Sequence, residues 1–157
     1  MEVRTQWVLL AYRLPREPST PRITLWRKLR RLGVAQVSDG VVALPLDART
    51  REQLEWLAEQ VTDANGEASV WQATLASRAQ ERALAQRMAD AVAAEYRTLI
   101  DEAAAARTEE GPRHQVVSRL RRELRRIRAR DYFPEPISRE AQAAIDLLVD
   151  AVAEVVS

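Results

Sequence analysis

Cysteine is absent from the 157-residue sequence, and histidine occurs once, at His114. Disulfides, thiolate nucleophiles, zinc ribbons and iron–sulfur ligation are thereby excluded, and one imidazole leaves almost no basis for a transition-metal site. Glycine is scarce, at four residues, so Asp39-Gly40 and Asn65-Gly66 stand out as turn signals. No run approaches the roughly 18 consecutive apolar residues of a membrane span. Residues Met1 to Gln6 carry no signal-peptide pattern, and a cytoplasmic location is expected. Catalytic patterns are also missing: there is no G-x-S-x-G, no Walker sequence, no G-x-G-x-x-G and no H-E-x-x-H. Neither an enzyme nor a cofactor or metal is expected.

With 46% apolar and 30% charged residues, the chain has the composition of a folded protein and room for one domain or a small domain with a helical appendage. The formal charge of +1 hides strong blocks: residues 1–31 carry +6, 32–112 carry -7, 113–130 carry +7 and 131–157 carry -5. Concentrated basic blocks in a nearly neutral chain point to an anionic partner. Internal pairing of basic with acidic helices is the competing explanation.

Residues 24–45 organise the first half. Leu25, Leu29 and Leu32 recur at helical spacing with Trp26 on their flank, and Gly33 is placed to cap the helix end. Val34 to Val37 and Val41 to Leu44 are β-prone, and Asp39-Gly40 between them is a hairpin signal. Gln6 to Leu14 is apolar on both sides, as in a central strand. Thr20 before Pro21 resembles an N-cap with proline at the first helical position, so the first helix is expected from Pro21 to Leu32. Thr50 and Gln53 fit a capping box for a second helix with the stripe Leu54, Leu57, Ala58, Val61, ended by Asn65-Gly66. Glu67 to Leu75 reads as a last strand.

The order strand, helix, strand, strand, helix, strand predicts an α+β, ferredoxin-like βαββαβ module with a four-stranded antiparallel sheet over residues 1–76. Residues 77–157 predict a three-helix region packed on it. Leu84, Met88, Val92, Tyr96, Leu99 and Ala103 mark a helix from Arg78 to Arg107, broken at Gly111-Pro112. Val116, Val117, Leu120, Leu124 and Ile127 mark the next. Ser138 caps a third, with the stripe Ala141, Ala144, Ile145, Leu148, Val149, Val152 and Val156.

The middle helix of that region is the sharpest chemical feature. Arg119, Arg121, Arg122, Arg125, Arg126, Arg128 and Arg130 cover everything outside its apolar stripe, with Glu123 as its only acid. A guanidinium fork holds phosphate or another oxyanion at two points. Pairing with Asp90, Asp101, Glu102, Asp146, Asp150 and Glu154 is the alternative. Arg27, Lys28 and Arg31 of the first helix form a second basic candidate, although such a trio is most often just a solvated face. The Asp131-Tyr132-Phe133-Pro134 run reads as a helix terminator whose aromatics fold back into the core. Trp7, Trp26, Trp56 and Trp71 fall in regular elements beside apolar residues, which predicts core or interface positions.

Several stretches resemble a known family. Trp7, Tyr12-Arg13-Leu14-Pro15-Arg16-Glu17-Pro18-Ser19 and Pro21, followed by Leu25-Trp26-Arg27-Lys28-Leu29-Arg30-Arg31-Leu32-Gly33 and Asp39-Gly40-Val41, resemble the N-terminal region of the chromate-resistance regulator family ChrB. Ile127-Arg128-Ala129-Arg130-Asp131-Tyr132-Phe133 is similar to the motif that closes that region. The helix–hairpin portion is similar to a module of PaaX-type regulators and Cas2-type nucleases. The resemblance implies a bacterial transcription regulator of chromate resistance, with DNA as partner and the chromate oxyanion as a second ligand. Arg27, Lys28, Arg31, Arg119, Arg122, Arg125, Arg126 and Arg130 are the expected contacts. The second domain of longer members lies outside this sequence, and without cysteine or a cofactor motif the chain has no electron donor for reducing chromate.

The leading expectation is a non-enzymatic, homodimeric DNA-binding regulator whose sheet mediates assembly. A Cas2-like metal-dependent nuclease is the main rival; it needs a carboxylate near the end of the first strand, where this sequence has Tyr12 and Arg13. A structural or signalling protein with internally paired arginines is the third.

Overall fold

The computed structural model describes residues 5–109 and 113–156. The chain divides into two compact units, Met1–Arg87 and Met88–Ser157. The first contains β1 (Trp7–Arg13), α1 (Thr20–Leu32), β2 (Ala35–Ser38), β3 (Val41–Pro45), α2 (Ala48–Asp63), β4 (Glu67–Ala73) and the start of α3 (Arg78–Thr108). The four strands form one antiparallel sheet in the order β2-β3-β1-β4.

β1 is central because its apolar residues serve both faces. Val8 and Leu10 lie opposite Leu44 and Val42 of β3, and all four are fully buried. α2 packs on β1 and β4 and touches α1. The helices contribute Leu25 and Leu29 from α1 and Leu54, Leu57 and Val61 from α2 to the buried set. Full burial stabilises each such side chain by roughly 1.5–3 kcal/mol relative to exposure. On the other sheet face, Trp7 is buried while Leu9 sits opposite the exposed Trp71.

The turns follow local chemistry. α1 ends at Gly33, which takes the left-handed conformation (φ 76°) and donates to the carbonyl of Arg30, while Val34 N–H bonds Leu29. β2 and β3 meet at Asp39-Gly40 with Gly40 at φ 75°, and a register shift between Gln36 and Ser38 marks a bulge.

Three cap assignments are corrected. The N-cap of α2 is Asp47, and Thr50 is its N3 residue: Thr50 N–H donates to Asp47 Oδ1 (2.7 Å) and Asp47 N–H donates to Thr50 Oγ1 (3.0 Å). Thr50 also donates to the Pro45 carbonyl at 2.7 Å, which satisfies its buried hydroxyl. α1 is preceded by Ser19, whose side chain makes no capping bond. Ser138 lies inside the first turn of its helix and does not cap it. Of the four tryptophans expected in core or interface positions, Trp7 is in the core, while Trp26, Trp56 and Trp71 are 38%, 60% and 59% exposed.

In the second unit, α3 is followed by α4 (Arg113–Ala129) and α5 (Ile137–Val156). Tyr96, Leu99 and Ala103 of α3, Leu120, Leu124 and Ile127 of α4, and Ala141, Ile145 and Leu148 of α5 form one buried cluster. Ala103 and Ala141 are wholly buried within this cluster. Tyr96 O–H donates to Asp131 Oδ2 at 2.8 Å, tying α3 to the segment after α4. Tyr132 and Phe133 are half-buried there. The expected break at Gly111-Pro112 lies outside the described residues.

Candidate functional site

Two basic surfaces arise, one in each unit. On α4 the buried stripe of Val117, Leu120, Leu124 and Ile127 leaves the arginines around the rest of the helix. They differ in partners. Arg130 is only 16% exposed and forms a bidentate pair with Glu95, Nε to Oε2 and Nη2 to Oε1 both at 3.0 Å. Glu123 lies 3.8 Å from Arg130 and 3.6 Å from Arg126. Arg119 pairs with Glu102 at 2.9 Å. Arg128 donates to Gln142 Oε1 (3.1 Å) and Ser138 Oγ (3.4 Å).

Arg121, Arg122 and Arg125 are exposed, and among the described residues none of them forms an ion pair. At about 100° per residue they share a single arc of about 100° on the helix, with Arg122 pointing directly away from the buried stripe. Three uncommitted forks on one arc form a surface able to bind successive phosphates.

The trio on α1 separates. Lys28 Nζ donates to Gln60 Oε1 of α2 at 2.6 Å, and Arg31 is exposed. Arg27 instead lines an open cleft of about 1020 Å³ beside the Asp39-Gly40 turn. Arg13, Arg16, Arg22 and Arg30 line the same cleft, with Tyr12, Trp26 and Asp39 among their neighbours. Sequence reasoning passed over these four arginines as a group. The available signal was the spacing of Ser19, Arg22/Ile23, Trp26/Arg27 and Arg30 at three and four residues along α1. Arg13 and Arg16 come from the end of β1 and the segment after it, which no periodicity relates to α1.

Electrostatics in the cleft are one-sided. Asp39 is the only carboxylate among the lining residues, and no ion pair engages the five guanidiniums among the described residues. Burial pushes the Tyr12 hydroxyl above its ordinary pKa; Arg22 opposes this and Asp39 adds to it. Tyr12 therefore keeps its proton at neutral pH and can donate. Its N–H bonds the Gly40 carbonyl at 2.8 Å, fixing the turn against β1.

A family model described as Protein ChrB, N-terminal matches residues 22–110. The chain belongs to the ChrB N-terminal family. The matched span includes Arg22, Trp26, Arg27 and Arg30 of the cleft, while α4 lies beyond it. The chain is also 32% identical over 160 residues to Protein ChrB of Cupriavidus metallidurans, covering 92% of this chain and 48% of that protein. It thus spans about half the length of this ChrB relative. No solved structure matches the chain. No helix among the described residues is long and apolar enough to cross a membrane.

Proposed function

We propose that this ChrB-family chain is a transcription regulator of chromate resistance that binds DNA through α4. The observation that carries the reading is the arc of Arg121, Arg122 and Arg125, three exposed guanidiniums with no carboxylate partner among the described residues. Arg126 and Arg119 flank the arc with partly neutralised charge, and Arg130 holds α4 to α3. Chromate, a dianion that paired guanidiniums accommodate, is the effector in this reading.

Residues 1–76 form the ferredoxin-like module, a proposal supported by the βαββαβ order and the β2-β3-β1-β4 sheet. Its edge strands and the exposed Trp71 are the proposed surface of a homodimer. Residues 77–157 supply the DNA-contacting helix.

Duplex DNA from upstream of the chain's own gene, titrated across a salt series, tests the reading. Binding should weaken linearly on a logarithmic salt axis, with a slope of about -0.9 per phosphate contacted. Absence of binding at low salt would overturn it.

A further inference from the structure

The cleft beside α1 lies in the first unit, is lined by no residue of α4, and has its own chemistry. Five guanidiniums face one carboxylate, which suits a ligand carrying several negative charges. They are also spread out. Arg22 and Arg30 stand eight residues apart on α1, about 12 Å along the axis, and Arg13 and Arg16 approach from the segment after β1. A single tetrahedral oxyanion could touch only some of them at once.

Size gives the same answer. At about 1020 Å³ the cleft lies just beyond the roughly 300–1,000 Å³ typical of small-molecule sites, far more space than an inorganic oxyanion fills. Between Arg22 and Arg30, one helical turn from each, stands Trp26 with 38% of its surface exposed. An indole partly open to a basic cleft is a stacking platform for a planar ring. Of the two aromatic residues in the lining, Tyr12 is half-buried in β1 and Trp26 is the exposed one, so one open ring serves one base, where a binder of extended single strands uses several aromatic platforms. Tyr12 O–H and Ser19 add neutral donors beside the cations.

We infer that the cleft formed by α1, the Asp39-Gly40 turn and the end of β1 binds a nucleoside di- or triphosphate. The guanidiniums of Arg22, Arg27 and Arg30, joined by Arg13 and Arg16, hold the phosphates, and the indole of Trp26 stacks on the base. The site is independent of α4, so it stands or falls separately from the DNA-binding reading.

The test is calorimetric titration of the full chain with adenosine and guanosine di- and triphosphates, inorganic tripolyphosphate, chromate, sulfate and a short single-stranded oligonucleotide. A nucleoside di- or triphosphate should bind more tightly than tripolyphosphate, sulfate, chromate or the oligonucleotide. Arg22→Gln with Arg30→Gln should weaken it by about tenfold or more, as two charge-assisted hydrogen bonds to phosphate are removed. Trp26→Leu should cost roughly fivefold to a hundredfold for the nucleotide and leave tripolyphosphate unchanged. The α4 variant Arg121→Gln/Arg122→Gln/Arg125→Gln should bind nucleotide as the parent does. Circular dichroism on each variant separates loss of binding from loss of fold. Tripolyphosphate binding as tightly as a nucleotide removes the base from the proposal. Tighter binding of chromate, sulfate or the oligonucleotide, or no nucleotide binding at millimolar concentration, overturns it.

Discussion

A β-carbon placed on Gly40 would lie 2.5 Å from the carbonyl oxygen of Tyr12, closer than real β-carbons approach backbone. Gly40 also sits at φ 75°, where a side chain costs roughly 1–2 kcal/mol on its own. The two residues are already bonded through Tyr12 N–H and the Gly40 carbonyl, so neither can retreat without opening the β1–β3 edge. Gly40→Val should therefore lower the stability of the first unit by at least about 1–2 kcal/mol, more than Gly40→Ala, because branching restricts the backbone further. Denaturant unfolding of both variants checks this; an unchanged midpoint for Gly40→Val would contradict it.

Arg130 should behave as a structural residue despite lying among DNA-binding candidates. Its fork is mostly buried and spans to Glu95 with two 3.0 Å hydrogen bonds. Arg130→Gln should cost on the order of 1–3 kcal/mol of stability, as charge-assisted hydrogen bonds do. The salt slope of DNA binding should not change. A variant with parental melting and a shallower slope would instead place Arg130 on the DNA.

Tyr96 supplies a pH test. Burial raises its pKa above the ordinary value of 10.0, with the Asp131 carboxylate adding to the rise and Ser138 and Arg128 opposing it. A folded-state pKa above the unfolded one favours the protonated form, so the contribution is complete below pH 10 and is lost as pH rises through the folded value. Stability should fall on the alkaline side, and phenolate absorbance should appear later in the folded protein than in denatured chain. Tyr96→Phe should lose about 1 kcal/mol at neutral pH and flatten the alkaline decline. An equally steep decline in that variant would assign it elsewhere; Tyr12, also raised by burial, is the next group to replace.

The elements were legible because period and punctuation agreed. β1 lacks alternation and proved central, and Asp39-Gly40 and Gly33 marked turns that do take positive φ. Cap identity was not legible: Asp47 and Thr50 both suit an N-cap, and only the backbone decides that Asp47 holds it and Thr50 answers from N3. Trp56 lies between the buried Leu54 and Leu57 on α2, yet its own angle on the helix turns it to solvent. The basic surfaces were half legible. Periodicity found the arginines of α4, but pairing over long separations, such as Arg130 with Glu95, left Arg121, Arg122 and Arg125 as the uncommitted set. The cleft joins residues 13, 16, 22, 27 and 30 with the turn at 39–40, and no single helical or strand period relates that grouping.

DNA recognition by α4 is the central claim, and the salt slope measures it most directly. The chain and its Arg121→Gln/Arg122→Gln/Arg125→Gln variant are titrated with the same duplex from low to moderate salt. The variant should fold with parental stability, bind more weakly, and show a slope shallower by about 0.9 for each phosphate it no longer neutralises. A parental slope and affinity in the folded triple variant would contradict the claim.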